Sequence, residues 1–144
     1  MSHNDAEFMK LAIEEAKKCI PVQTAYNVGA VIVKNGVVLS TGFSRELPGN
    51  THAEECALMK YQGDLTGCVL YSTMEPCSTR LSQKMSCTDR IIKTNIKEVV
   101  IGIKEPDHFV HCVGVELLKR HNIQIRFFNQ YEEEIKNLNK HIIL

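Results

Sequence analysis

The sequence has no surplus of either charge: seventeen lysines and arginines balance seventeen aspartates and glutamates across 144 residues. No global field therefore gathers a polyanion, and nucleic acid is not an expected partner, although one small phosphorylated ligand needs only a few cations. No apolar run is long enough to span a bilayer, and the opening MSHNDAEFMK is polar rather than basic and then apolar, as a secretory signal would be. The closing HIIL carries no lipidation motif. These absences imply an intracellular protein, cytoplasmic or nuclear, with no membrane partner and with reduced thiols. Six cysteines could frame a small secreted domain, but without other signs of secretion they point to metal ligation or burial. No internal repeat, low-complexity tract or linker interrupts the chain, so 1–144 is expected to be one domain with one core.

What the chain does contain is an alternation of short helical and strand patterns. Met9, Ala12, Ile13, Ala16 and Ile20 recur at helical spacing over Asp5–Cys19, with Asn4 and Glu7 as a capping box. Gly29–Lys34 and Val37–Ser40 are strand-like, and Asn35-Gly36 between them is a hairpin signal. Further along come a helix from Thr51 to Tyr61, a strand over Val69–Ser72 and a short helix opening near Cys87. A strand over Glu98–Ile103, a helix over Val113–Arg120 and a strand over Ile123–Phe127 follow. Tyr131–Lys140 is expected to be a surface helix with no legible role. A hairpin followed by helix–strand alternation predicts a three-layer α/β/α domain around a central mixed five-stranded sheet.

Three short pieces carry chemistry: His52-Ala53-Glu54, Pro76-Cys77 and Cys87. Each alone has an ordinary explanation, because buried cysteines are commonly small hydrophobes and Thr51 to Glu54 spells a capping box. Cys19, Cys56, Cys68 and Cys112 keep that ordinary role. Placement argues for more. His52 and Glu54 would point apart from a helix side, so they serve one site only from the helix's first turn. Cys77 follows a strand and a proline turn, while Cys87 opens a helix whose free N–H groups favour a thiolate. All four side chains thus converge at one end of the sheet, where open α/β folds bind ligands. One imidazole nitrogen and two thiolates suit one Zn²⁺ per chain, with the fourth position left for water. Glu54, which is not a ligand, can then carry protons between water, a ring nitrogen and a leaving amine, which amounts to hydrolytic deamination. A structural zinc module completed by Cys56, and a metal-free fold, remain open as alternatives.

H-x-E followed by P-C and a second cysteine is the signature of zinc nucleobase deaminases, here with nine residues rather than two between the cysteines. AYNVGA (25–30), GFSRELPGNTHAEECA (42–57), TMEPCS (73–78), CTDRI (87–91) and Glu105-Pro106-Asp107 together resemble the cytidine deaminase superfamily. Within it, the chain is most similar to the fungal-type pyrimidine deaminases of riboflavin biosynthesis, and GVELLKRHNIQI (114–125) resembles the end of bacterial riboflavin deaminase domains. Two positions depart from the pattern: Ser86 stands where proline is common and Thr88 where a second cysteine is common.

The resemblance implies a cytidine-deaminase-like fold, a homodimer and a small phosphorylated ribitylamino-pyrimidine substrate. The implied substrate is 2,5-diamino-6-(ribitylamino)pyrimidin-4(3H)-one 5′-phosphate, converted to 5-amino-6-(ribitylamino)uracil 5′-phosphate and ammonia. It further implies that Asn27, Ser44, Asn50, Ser78 and the main-chain N–H of Ala53 meet the ring or ribityl chain. Arg45 and Arg80 are the expected phosphate partners, with Lys84 a weaker one, because guanidinium forks suit phosphate oxygens. Arg90 is expected to support its own helix, and His108 and His111 to lie at the surface or the substrate's edge. A deaminase of another nucleobase, nucleoside, nucleotide or transfer RNA is the nearest competing reading.

Overall fold

The computed structural model describes residues 4–78, 80, 85–104, 106 and 113–142. Strands β1 (Gly29–Lys34) and β2 (Val37–Phe43) form the expected antiparallel hairpin. Asn35 and Gly36 both take positive φ, 51° and 78°, as a two-residue primed turn requires. β2 outruns its expected end at Ser40 because Thr41, Gly42 and Phe43 stay paired with Val31, Ala30 and Gly29. β1 also pairs antiparallel with β3 (Val69–Met74), and β3, β4 (Glu98–Ile103) and β5 (Gln124–Phe127) run parallel. The resulting order, β2-β1-β3-β4-β5, is the mixed five-stranded sheet expected.

Period-two alternation sends successive side chains to opposite faces, which makes the layers. Ala30, Ile32, Val99 and Ile101 pack with α2 (Ala53–Lys60), α3 (Cys87–Ile92) and α4 (Gly114–Arg120). Val31, Val33 and Val100 pack on the other side with α1 (Asp5–Ala16) and α5 (Glu132–Leu138). The helix that matters most for the site, α2, sits very close to the sheet. A Cβ on Gly42 would lie 2.2 Å from the Ala53 carbonyl, so only glycine lets the first turn of α2 close on β2.

Three expectations need correction. α1 ends at Ala16, not Cys19, and Ile20 is 80% exposed instead of continuing the buried face. Lys18 N and Cys19 N bond to the Glu15 and Ala16 carbonyls in a tightened last turn, and Pro21 disfavours the helical region for Ile20. Asn4 makes no side-chain cap. The C-terminal helix, reached through a 3-10 turn at Asn129–Tyr131, is not merely superficial, because Ile135 and Asn139 are fully buried.

At the start of α1, buried Asp5 accepts from Tyr71 Oη at 2.6 Å and pairs with Arg126, which also holds Glu98. Burial works to raise the Asp5 pKa, but the bonds from Arg126 and Tyr71 outweigh it and hold the carboxyl below its usual value. A carboxyl depressed in the folded state contributes stability above its unfolded pKa of about 3.9, and that stability is lost as pH falls through the lower folded value. Asp5→Asn should therefore cost about 1–3 kcal/mol at neutral pH, the scale of hydrogen bonds to a charged group. It should also flatten the acid fall in urea midpoint below about pH 4. A variant whose midpoint tracks the wild type throughout the acid limb contradicts this. No helix among the described residues is long and apolar enough to cross a membrane.

Candidate active site

The site lies where β3 ends. After Met74, the Glu75-Pro76 turn delivers Cys77, and the turn is fixed on both sides. Glu75 N donates to the Ile103 carbonyl at 2.8 Å, and the Glu75 carboxylate accepts from Val115 N at 3.1 Å. Ser86 caps α3 by accepting from Asp89 N at 3.0 Å, which makes Cys87 the first helical residue. The N–H of Cys87 then points at the Cys77 sulfur, 3.2 Å away. Thr88 binds the same turn, through its N–H to the Cys77 carbonyl at 3.0 Å and its hydroxyl to the Pro76 carbonyl at 3.3 Å. Of the two departures from the expected pattern, Thr88 joins the two cysteine-bearing segments and Ser86 caps the helix that carries Cys87.

His52 is the N-cap of α2 and has extended backbone angles, so its ring leaves the helix end-on. Its Nδ1 lies 3.6 Å from Cys77 Sγ and 3.4 Å from Cys87 Sγ. These three residues are the only group among the described ones whose donor atoms could hold a metal, all within 4.8 Å of one another. Across a tetrahedral zinc with Zn–S about 2.3 Å and Zn–N about 2.0 Å, nitrogen and sulfur stand about 3.5 Å apart. The donor set fits a single zinc ion. Cys56, the candidate fourth ligand of a structural module, instead donates its S–H to Thr51 Oγ1 at 3.1 Å and lies outside the cluster.

The two thiols act as one unit. Cys77 is held low by a hydrogen bond from the Cys87 thiol and, against the cost of burial, by His52 and the Cys87 N–H. Cys87, donating to that thiolate and fully buried, is pushed well above an ordinary thiol. One negative charge is therefore easily formed here, and the second proton leaves only when a cation takes its place.

The capping box on α2 is one residue away from where the sequence suggests. Glu55, not Glu54, reaches back to accept the His52 N–H at 3.1 Å. Glu54 is left free for chemistry. It is 4% exposed, and burial, followed by the nearby Cys77 charge, raises its pKa above the ordinary carboxylate value. Ser72 Oγ lies 3.0 Å from Glu54 Oε2 and 2.7 Å from the Met74 carbonyl. A hydroxyl has one hydrogen and can also accept, so Ser72 can donate to ionised Glu54, or donate to Met74 while accepting from protonated Glu54. The pair accommodates either protonation state without rearrangement.

The expected substrate residues are placed less uniformly. Ala53 is the first residue of α2, where backbone N–H groups have no intrahelical partner. Asn50 is exposed two residues before His52, with φ 59°. Asn27 is buried at the mouth of β1: its N–H donates to Asn139 Oδ1 at 2.6 Å and its Oδ1 accepts from Arg45 at 2.7 Å. Ser44 Oγ accepts from Val28 N at 2.9 Å, and Ser78 Oγ from Val113 N at 3.0 Å. Arg45 also donates to the Tyr26 and Ile20 carbonyls.

Arg80 is turned inward. Its side chain is 1% exposed, donating to Glu55 Oε1 at 2.9 Å, to the Asn50 carbonyl at 2.9 Å and to the Met85 carbonyl at 3.3 Å. Arg90 crosses to α2 and donates to Glu55 Oε2 at 3.0 Å, so its partner is not on its own helix. Lys84, Asp107, His108, His111 and Cys112 lie outside the described residues. Sequence reasoning missed Ser72, Glu55 and Asn139. Ser72 had a usable signal, a polar residue inside the buried run VLYSTM. Asn139 had none, because its partner is 112 residues away.

The family described as the cytidine and deoxycytidylate deaminase zinc-binding region matches residues 2–103. The chain belongs to that family. A diaminohydroxyphosphoribosylamino-pyrimidine deaminase of Schizosaccharomyces pombe is 56% identical over 85% of this chain, and a RibD riboflavin biosynthesis protein of Aquifex aeolicus is 37% identical over 94%. The chain spans only 32% and 38% of those two proteins' lengths. A protein of Buchnera aphidicola with the first of these names is 34% identical over 95% of this chain and 92% of its own length. Among solved structures, the Rib2 deaminase of Aspergillus oryzae (a C-terminal deletion mutant) aligns with a TM-score of 0.83 at 31% identity. That alignment covers 94% of this chain and 90% of the other, and the same deaminase has been crystallised in complex with DARIPP. The fold and family expected from the sequence are both borne out.

Proposed function

We propose that this deaminase-family chain catalyses hydrolytic deamination of 2,5-diamino-6-(ribitylamino)pyrimidin-4(3H)-one 5′-phosphate. The observation that carries the reaction class is the convergence of His52 Nδ1 and the Cys77 and Cys87 sulfurs, with buried Glu54 beside them and not among the ligands. The relatives' names support a phosphorylated diaminopyrimidine of riboflavin biosynthesis: the S. pombe protein is named for a diaminohydroxyphosphoribosylamino-pyrimidine, and RibD for riboflavin biosynthesis, while the ribityl form rests on the likeness to fungal-type deaminases.

Zinc held by His52, Cys77 and Cys87 would supply Lewis acidity that brings water's pKa from about 15.7 toward about 7. The chain's own residues do the rest. Glu54 removes a proton from the attacking water as its oxygen bonds to C2 of the ring, and gives that proton to N1, the imine nitrogen of the C2=N1 bond (N3 already carries hydrogen). It then relays the second proton from the oxygen to the departing 2-amino group, the C2–N bond breaks, and ammonia leaves. Burial favours this role, because a carboxyl raised above its ordinary value accepts and returns a proton more evenly near neutrality. In this reading the main-chain N–H of Ala53, the first residue of α2, holds a ring carbonyl; its lack of an intrahelical partner supports that role. Asn27, Ser44, Asn50 and Ser78 complete the proposed lining, and partly exposed Arg45 is a better phosphate partner than buried Arg80.

Incubation with the ribityl pyrimidine phosphate should release ammonia and yield the corresponding uracil. Turnover of cytidine or dCMP, with the ribityl pyrimidine left intact, defeats the assignment. An intracellular location and a homodimer belong to the same reading, and sedimentation of the purified protein tests the second.

A further inference from the structure

Each of the three ligands has a charged residue three positions later: Glu55 after His52, Arg80 after Cys77 and Arg90 after Cys87. The fold gathers these residues as tightly as the ligands. Glu55 is buried, and its Oε1 accepts from His52 N at 3.1 Å and Arg80 Nη1 at 2.9 Å, while Oε2 accepts from Arg90 Nη2 at 3.0 Å. Arg80 continues outward to the Asn50 carbonyl, just ahead of His52, and to the Met85 carbonyl, just ahead of Cys87. One carboxylate therefore ties together the backbone of the first ligand, the segment after the second and the helix that begins with the third.

We propose that Glu55, Arg80 and Arg90 are positioning residues that hold the three donor atoms at zinc-binding separation and set how slowly the metal leaves. The inference rests on zinc occupying the His52–Cys77–Cys87 site. The physical case is that the ligands come from three chain segments, and without the central carboxylate the buried Arg80 guanidinium loses its counter-charge. Uncompensated buried charge is costly, and the cheapest relief is for the loop and α3 to move away from α2. That movement separates His52 from both cysteines. Groups behind the ligands of a metal site commonly change its affinity by roughly 10- to 100-fold when replaced.

The alternative is that the cluster merely stabilises the fold, as the Asp5–Arg126–Glu98 cluster does at the opposite end of the sheet. Zinc-loaded wild type, Glu55→Gln, Arg90→Gln and Asp5→Asn should be compared for zinc release into excess chelator, and for the ligand-field and thiolate charge-transfer bands of the cobalt-substituted proteins. Glu55→Gln should release zinc roughly 10- to 100-fold faster and shift the cobalt bands, with a smaller acceleration in Arg90→Gln. Asp5→Asn should lose melting temperature while keeping the wild-type release rate and spectrum. Wild-type release and unshifted bands in both Glu55→Gln and Arg90→Gln overturn the proposal, whatever their melting temperatures. If Glu55→Gln does not fold, Arg90→Gln decides alone, because its side chain is partly exposed and its loss leaves Arg80 paired. A wild type that takes up no zinc defeats the metal assignment itself, a result distinct from equal release by wild type and variants.

Discussion

Glu54→Gln should abolish turnover while leaving one zinc bound per chain. Glutamine keeps the size of the side chain and can still meet Ser72, so the buried position need not open. What it loses is the ability to take up a proton. Glu54 is asked to move two protons in each cycle, and a single positioned acid–base group is typically worth about 10²–10⁴ in rate. A fall in kcat at or beyond the upper end of that range is expected, with KM changed far less. Zinc content should stay near that of the wild type, because Glu54 lies outside the ligand cluster. The assay is ammonia release alongside elemental analysis. A variant that retains even a tenth of wild-type kcat contradicts the role, and one that loses its zinc would make Glu54 a structural or ligating residue instead.

Cys87→Ser should remove both the metal and the activity, although it changes only one atom. Cys87 is fully buried at the first position of α3, so the serine fits without disturbing packing. Sulfur matters here because a thiolate is a soft, easily ionised ligand, and a serine hydroxyl is neither. With serine there, Cys77 is left as the only thiolate beside His52 in the donor set. Zinc content after dialysis should fall from about one equivalent to near zero, and added zinc should no longer raise the melting temperature. Because wild-type uptake must expel the second thiol proton, zinc affinity should also weaken as pH falls. Stoichiometric zinc in dialysed Cys87→Ser protein contradicts the ligand assignment.

Much of the fold was legible in the chain because its signals are local. Asn35-Gly36 dictates a primed turn by the conformations those two residues tolerate. The short apolar runs Gly29–Lys34 and Glu98–Ile103 read as strands buried on both faces, which require helices on both sides of the sheet. The ligand set was legible for a similar reason. His52 and Glu54 could share a site only from the first turn of a helix, and the capping pattern over Thr51–Glu54 set that turn there. The helix ends were less secure, as Ile20 shows, because a proline just beyond the pattern outweighed its periodicity.

Other features depended on partners distant in sequence. Whether Glu54 or Glu55 would cap α2 is invisible in T-H-A-E-E, where either carboxylate is within reach of the backbone. Arg80 and Arg90 decide it by drawing Glu55 toward them, which leaves Glu54 to Ser72 and the site. The same two arginines were candidates for a phosphate site and for a purely local role. Burial against one carboxylate gave them another, since a desolvated guanidinium must find its counter-charge inside the protein. The C-terminal helix had no legible role until Asn139 met Asn27 across 112 residues. Residue types and spacing therefore carry the metal chemistry and the layer order, which are properties of short segments. Which carboxylate works as the proton carrier, and which charges hold it in place, follow from contacts made only when those segments are packed together.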